Sequence, residues 1–286
     1  DIHTRSAYTA PLRELGFVEG QNLLIERRYA DGRLERLPAL ARQLIGLDPD
    51  VILAVGGAAA RAAKEATTTI PIVMLINGDP VQAGLVQSLA RPGGNLTSVL
   101  IAPEGSLAGK RLELLRELVP RATRMILLAP APSATTMPAQ LQETRAAASS
   151  LGLGLEVVEV KGGDYAGAFA AMAAHRAHAL VVGASANFVR DRKAIIEQAA
   201  KHRVPAIYEW PRQVKDGGLM SYGANDIETY KQVASYIDRI FKGAKPSDLA
   251  VWQPSRLYLV INLKTATALG LTIPQSLLLR ADEVVD

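Results

Sequence analysis

The sequence predicts an α/β protein built from two similar, doubly wound lobes. Two observations lead to this. First, short apolar runs alternate along most of the chain with Ala-, Leu-, Arg- and Glu-rich stretches of helical length. That alternation marks βαβ units around a parallel sheet. Second, three signals of the first third recur in the same order, and at nearly one spacing, in the middle. Leu15-Gly16 precedes one strand and Leu151-Gly152 another. Val55-Gly56-Gly57-Ala58 closes a strand and Val182-Gly183-Ala184-Ser185 closes its counterpart. Ile70-Pro71-Ile72-Val73 opens a strand, as does Val204-Pro205-Ala206-Ile207. One glycine after a strand means little; the ordered set points to a repeated lobe.

The elements follow in order. Strands are predicted over residues 23–25, 51–55, 72–75, 124–128, 155–160, 179–182 and 205–208. Most are apolar throughout, as strands covered on both faces must be. The middle copy has a strand at 124–128 and a helix from Thr136 before its Leu-Gly signal, whereas the first copy opens directly on a helix over 4–15. The repeat therefore places a counterpart strand upstream of Asp1, so the first strand of lobe 1 is expected to be missing from this chain. After the second copy, residues 217–223 read as a short strand. Asn225 or Asp226 caps a helix running to Phe241, and Lys242-Gly243-Ala244-Lys245-Pro246 stops it. A last strand over 257–262 precedes a helix from Lys264. A chain that completes two lobes and then adds elements must cross between them. Lobe 1 is expected at 1–98 plus 218–247 and lobe 2 at 99–217 plus 248–286.

Composition narrows the function. Of the 286 residues, 49% are hydrophobic and 21% charged, which excludes disorder and a fibrous repeat. Aromatics are 5%, so Ala, Leu, Val and Ile must build the core. The net charge of +4 is dispersed, and Arg27-Arg28 is only a pair, so no nucleic-acid partner is expected. Without cysteine there are no disulfides, thiol nucleophiles or Cys-based metal sites. No apolar run reaches the ~18 residues of a membrane helix. The chain opens Asp1-Ile2-His3-Thr4-Arg5, which is no export signal.

Ligands of open α/β sheets bind beyond the carboxyl ends of the strands. The loops there hold the candidate ligand-binding residues Gly57, Ala58, Asn77, Asp79, Ser133, Ser185, Asn187, Glu209, Trp210 and Tyr222. Gly57 and Ala58 open a helix near Ala59, where free N–H groups and the helix dipole favour an anion; the glycines equally permit a tight turn. Asp79 can bind an amine, or cap a helix starting at Pro80. Trp210 beside Glu209 can stack a ring and hold a cation, or close the edge of a lobe. Ser133 and Asn187 can contact ligand, or cap the helices that follow. Tyr222 lies in a crossing segment, where it faces ligand or braces the hinge. No metal site is expected: His175 and His178 stand one helical turn apart at a helix end without a third ligand. No cofactor is expected, because neither a dinucleotide fingerprint nor a P-loop is present, and no Gly-x-Ser-x-Gly marks a hydrolase. Residues 26–36 and 110–117 mix charges and read as solvated faces.

Several segments together resemble periplasmic solute-binding proteins of ABC transporters. They are Leu15-Gly16-Phe17-Val18-Glu19-Gly20-Gln21-Asn22, Ile70-Pro71-Ile72-Val73, Gly78-Asp79-Pro80-Val81, residues 85–97 (most specific over 88–97), Gly109-Lys110-Arg111-Leu112-Glu113-Leu114-Leu115, Gly218-Leu219-Met220-Ser221-Tyr222-Gly223 and residues 259–266. The likeness covers essentially the whole chain and is nearest to the type I branch associated with tryptophan-like and other amino-acid or aromatic substrates. It implies two Rossmann-like lobes, a three-crossing hinge, and ligand held in an interlobe cleft by closure. It also implies no enzymatic activity, a monomer, a periplasmic location and an ABC permease as partner. The family often has Thr or Ser where this chain has Gly57, and Asn-Pro where it has Ala129-Pro130. Both departures make the site less polar and favour an apolar, aromatic carboxylate. Two alternatives are a small-molecule enzyme on the same scaffold, needing a catalytic cluster, and an effector-sensing module of the lac-repressor type, needing a helix-turn-helix.

Overall fold

The computed structural model describes residues 2–101 and 107–286. In chain order the elements are α1 (Ile2–Glu14), α2 (Leu37–Ile45), β1 (Ile52–Val55), α3 (Gly57–Ala66), β2 (Ile72–Ile76), β3 (Leu96–Leu100), α4 (Ala108–Leu118), β4 (Arg124–Pro130), α5 (Ser133–Thr136), α6 (Pro138–Ser150), β5 (Gly154–Val160), α7 (Tyr165–Ala174), β6 (Ala179–Val182), α8 (Ala186–Arg190), α9 (Arg192–Lys201), β7 (Ala206–Tyr208), α10 (Pro211–Lys215), β8 (Met220–Gly223), α11 (Asp226–Phe241), β9 (Tyr258–Asn262), α12 (Leu263–Leu269), α13 (Gln275–Arg280) and β10 (Glu283–Val285). The chain forms two compact units: Asp1–Glu104 with Asp226–Ser255, and Gly105–Asn225 with Arg256–Asp286.

The first unit holds a parallel sheet of order β1-β2-β3. Its centre, β2, is buried at all five positions. Ile72, Met74 and Ile76 join Ala60 and Ala63 of α3 in one apolar cluster; Val73 and Leu75 join Tyr230, Val233, Ala234 and Ile237 of α11 in another. Helix α11 forms because these residues recur every three or four positions and make one apolar stripe. Against it lies α1, with Tyr8 edge-on to Tyr230 at 4.8 Å between ring centroids.

In this unit one expected strand does not form and one unexpected strand does. The segment over 23–25 forms no strand, only an isolated bridge between Glu19 and Leu23. It alternates inward and outward as a strand would, but has no ladder among the described residues. Conversely, β3 (LTSVL) was not anticipated, because Thr97 and Ser98 interrupt its apolar run. Both are wholly buried. Thr97 Oγ1 donates to the Leu249 carbonyl at 2.6 Å, so the polar group is satisfied.

The second unit holds a seven-stranded sheet of order β10-β9-β8-β7-β6-β4-β5. All neighbours are parallel except β8 and β9. Alternate residues of β4 and β6 feed the two faces: Met125, Leu127, Ala179 and Val181 pack with Leu112 and Leu115 of α4, and Ile126, Leu128, Leu180 and Val182 pack with Phe169 of α7 and Ile195 of α9. Here the unexpected strand is β10, paired with β9 at the edge.

The unit boundaries differ from the expected lobes at three segments: residues 99–104 and 248–255 belong to the first unit, and 218–225 to the second. Strand β8 was assigned to lobe 1, but its ladders to β7 and β9 fix it in the second unit. Residues around Val251 and Trp252 were assigned to lobe 2. They lie in the first unit, where Val251 N–H donates to Leu89 O at 2.7 Å and Trp252 N–H to Ser98 O at 2.9 Å.

Candidate functional site

Because neighbouring strands run parallel, the carboxyl ends of β1 and β2 share one edge of the first sheet, and those of β4, β6, β7 and β8 share one edge of the second. Every candidate ligand-binding residue named from the sequence lies on one of these two edges.

On the first, Gly56 precedes α3 with φ +95° and no side-chain cap. Gly57 and Ala58 are exposed in the first helical turn. Their N–H groups have no helical acceptor, so this turn is a donor array for an anion. At the end of β2, Asn77 is exposed and Asp79 half-buried. The expected helix at Pro80 does not form; residues 80–85 make turns instead, with Leu85 N–H on Pro80 O at 2.9 Å. Asp79 Oδ1 accepts from the N–H groups of Val81 at 2.7 Å and Gln82 at 3.2 Å, so the carboxylate caps a turn.

On the second edge, Ser133 is buried. It is the first residue of α5 and does not cap it: its N–H and Oγ donate to the same oxygen of Glu159, at 2.7 and 2.6 Å. The hydroxyl and then the backbone N–H of Ser133 hold the Glu159 carboxyl below its ordinary value. Ser185, not Asn187, caps α8, its Oγ accepting from Asn187 N–H at 3.2 Å. Trp210 is 4% exposed, and its indole Nε1 makes no hydrogen bond among the described residues. Its backbone N–H donates to Gln213 Oε1 at 3.0 Å, which sets the start of α10. Tyr222 is half-buried with its ring against the core. Neither histidine gathers a metal site: His178 Nδ1 accepts from Thr123 N–H at 3.1 Å, and no cluster of three or more metal-ligating side chains occurs among the described residues.

Sequence reasoning missed Arg111. Residues 110–117 were read as a solvated face, yet Arg111 is 2% exposed. Its Nε donates to the Tyr222 carbonyl at 2.8 Å, and Nη2 lies 3.8 Å from Glu209 Oε1. Burial pushes the guanidinium below its ordinary value, against the pull of Glu209. The signal was present in the spacing: Ala108, Arg111, Leu112, Leu115 and Leu118 are the buried stripe of α4.

Residues 3–285 match the ABC transporter substrate binding protein family. The chain belongs to that family. A conserved domain protein from Vibrio cholerae is 28% identical and superposes with a TM-score of 0.84, covering 98% of this chain and 94% of that one. The structure of the ABC domain from Streptococcus pneumonia in complex with L-Trp is 26% identical with a TM-score of 0.82, covering 98% and 93%. A tyrosine-binding protein of Clostridioides difficile is 32% identical over 121 residues, which is 42% of this chain and 34% of that protein's length. This family member has the type I periplasmic binding fold, with three chain passages between its two units. No helix among its described residues is long and apolar enough to cross a membrane.

Proposed function

We propose that this family member captures a small carboxylate-bearing ligand, an amino acid or an aromatic acid, and delivers it to an ABC permease in the periplasm. The family match over nearly the whole chain carries this reading. The neighbour bound to L-Trp and the tyrosine-binding relative support the ligand class. The exposed, uncapped first turn of α3 at Gly57 and Ala58 supports a carboxylate, since it offers backbone donors without a hydroxyl. Glu209 and Asp79 are the acceptors proposed for a ligand amine, and Trp210 and Tyr222 are the aromatic neighbours. Ligand binding shifts the population toward the conformer that makes the ligand contacts. No bond is made or broken; the chain acts as a monomeric carrier without cofactor or metal.

A thermal-shift screen against amino acids, aromatic acids and simple sugars tests the reading. A ligand at 100 times its Kd adds about 2.7 kcal/mol to the stability of the folded state. L-Trp, L-Tyr or an aromatic acid is expected to raise the melting temperature by several degrees. A response to sugars alone, or to none of these compounds, overturns the ligand class.

A further inference from the structure

Three pieces of the second unit meet at Arg111. The side chain rises from α4 and is 3% exposed. Its Nε holds the carbonyl of Tyr222 at the end of β8, and its Nη2 faces Glu209 at the end of β7, 3.8 Å away. Gly223 makes the approach possible: a Cβ there would lie 2.2 Å from the Glu209 carbonyl oxygen and 3.3 Å from Nη2. Just beyond, between Asn225 and Asp226, the chain leaves this unit. Nη2 itself makes no hydrogen bond among the described residues. A buried cation with an unsatisfied nitrogen opposes folding, and an apolar side chain of similar volume fills such a site at lower cost. Stability is therefore a poor reason for an arginine here. What the guanidinium does, and an apolar chain cannot, is tie the ends of two adjacent strands from one rigid fork.

We propose that Arg111 is a positioning residue for ligand capture: it fixes the main chain of Tyr222 and Gly223 against Glu209, so that the candidate contacts Glu209, Trp210 and Tyr222 keep one arrangement. This rests on the ligand-binding reading above.

The test uses the whole chain and four variants: Arg111→Gln, Arg111→Lys, Glu209→Gln and the double variant Arg111→Met/Glu209→Gln, which removes both charges. Three quantities are read: melting temperature, hydrogen exchange of the amides at 222–225, and Kd for L-Trp and L-Tyr. The double variant should melt near the wild type. Its exchange at 222–225 should nevertheless quicken, and its affinity should fall about tenfold below that of Glu209→Gln alone, the loss of one charge-assisted hydrogen bond. Arg111→Lys should not rescue affinity, because an ammonium cannot hold both strand ends. If the double variant does not fold, Arg111→Lys carries the same comparison. Unchanged exchange at 222–225 overturns the proposal, as does faster exchange in the double variant with the affinity of Glu209→Gln alone. If the wild type binds neither amino acid, the ligand reading falls separately. The exchange result then decides by itself whether Arg111 holds this segment.

Discussion

Ser133 and Glu159, 26 residues apart, are joined twice through one oxygen, by a backbone bond of 2.7 Å and a hydroxyl bond of 2.6 Å. This anchors the loop after β4 to the edge strand β5. It also makes Ser133 an unsuitable free donor to a ligand, because its hydroxyl proton is already committed.

That pair predicts a pH dependence. Glu159 sits below its ordinary value of 4.5, so the bonds contribute fully above that value. They are lost as pH falls through the lower, folded-state value. Glu159→Gln keeps an acceptor but does not titrate. Melting curves between about pH 5 and pH 3 should fall more steeply for the wild type than for Glu159→Gln. Parallel curves would mean that the pair adds nothing to acid sensitivity.

Asp79 separates capping from ligand contact. Both backbone bonds use Oδ1, and Asn retains a carbonyl oxygen for them. Asp79→Asn should leave stability within about 0.5 kcal/mol. Under the proposed function it should weaken an amino acid by about tenfold while sparing an aromatic acid that lacks an amine. Calorimetric titration with L-Tyr and with 4-hydroxyphenylacetate makes the comparison; equal losses for both would remove Asp79 from amine recognition.

Two glycines should respond oppositely to alanine. A Cβ on Gly57 meets nothing within 4 Å, whereas on Gly223 it meets the Glu209 carbonyl at 2.2 Å. Gly57→Ala should be neutral or stabilise by about 0.4–1 kcal/mol through the unfolded state. Gly223→Ala should destabilise by about 1–3 kcal/mol as the backbone is forced apart. Urea titrations of both variants decide, and equal midpoints would refute the close approach of β7 and β8.

Thr97→Val tests how the returning segment is held to the first unit. The hydroxyl bond to Leu249 O is buried and 2.6 Å long, so Val leaves that carbonyl without this donor. A loss of about 1–3 kcal/mol is expected by denaturant unfolding. A change near zero would mean that the carbonyl finds another donor.

The sequence by itself determined the class of fold, most strands and the loops that carry the candidate site. Those follow from period and punctuation: β2 and β6 are unbroken apolar runs, and glycine or proline marks where chains turn. Tertiary structure decided what depends on partners far along the chain. Strand β3 exists because its ladder to β2 and the acceptor at Leu249 satisfy Thr97, which no local window records. Strand β8 belongs to the second unit because β7 and β9 flank it, although its residues read equally well as the start of a crossing. Arg111 met the Tyr222 carbonyl and Glu209 only when α4 packed its charged position against them. Local patterning records which face of an element is apolar; only packing brings a charge on that face to its partner 111 residues away.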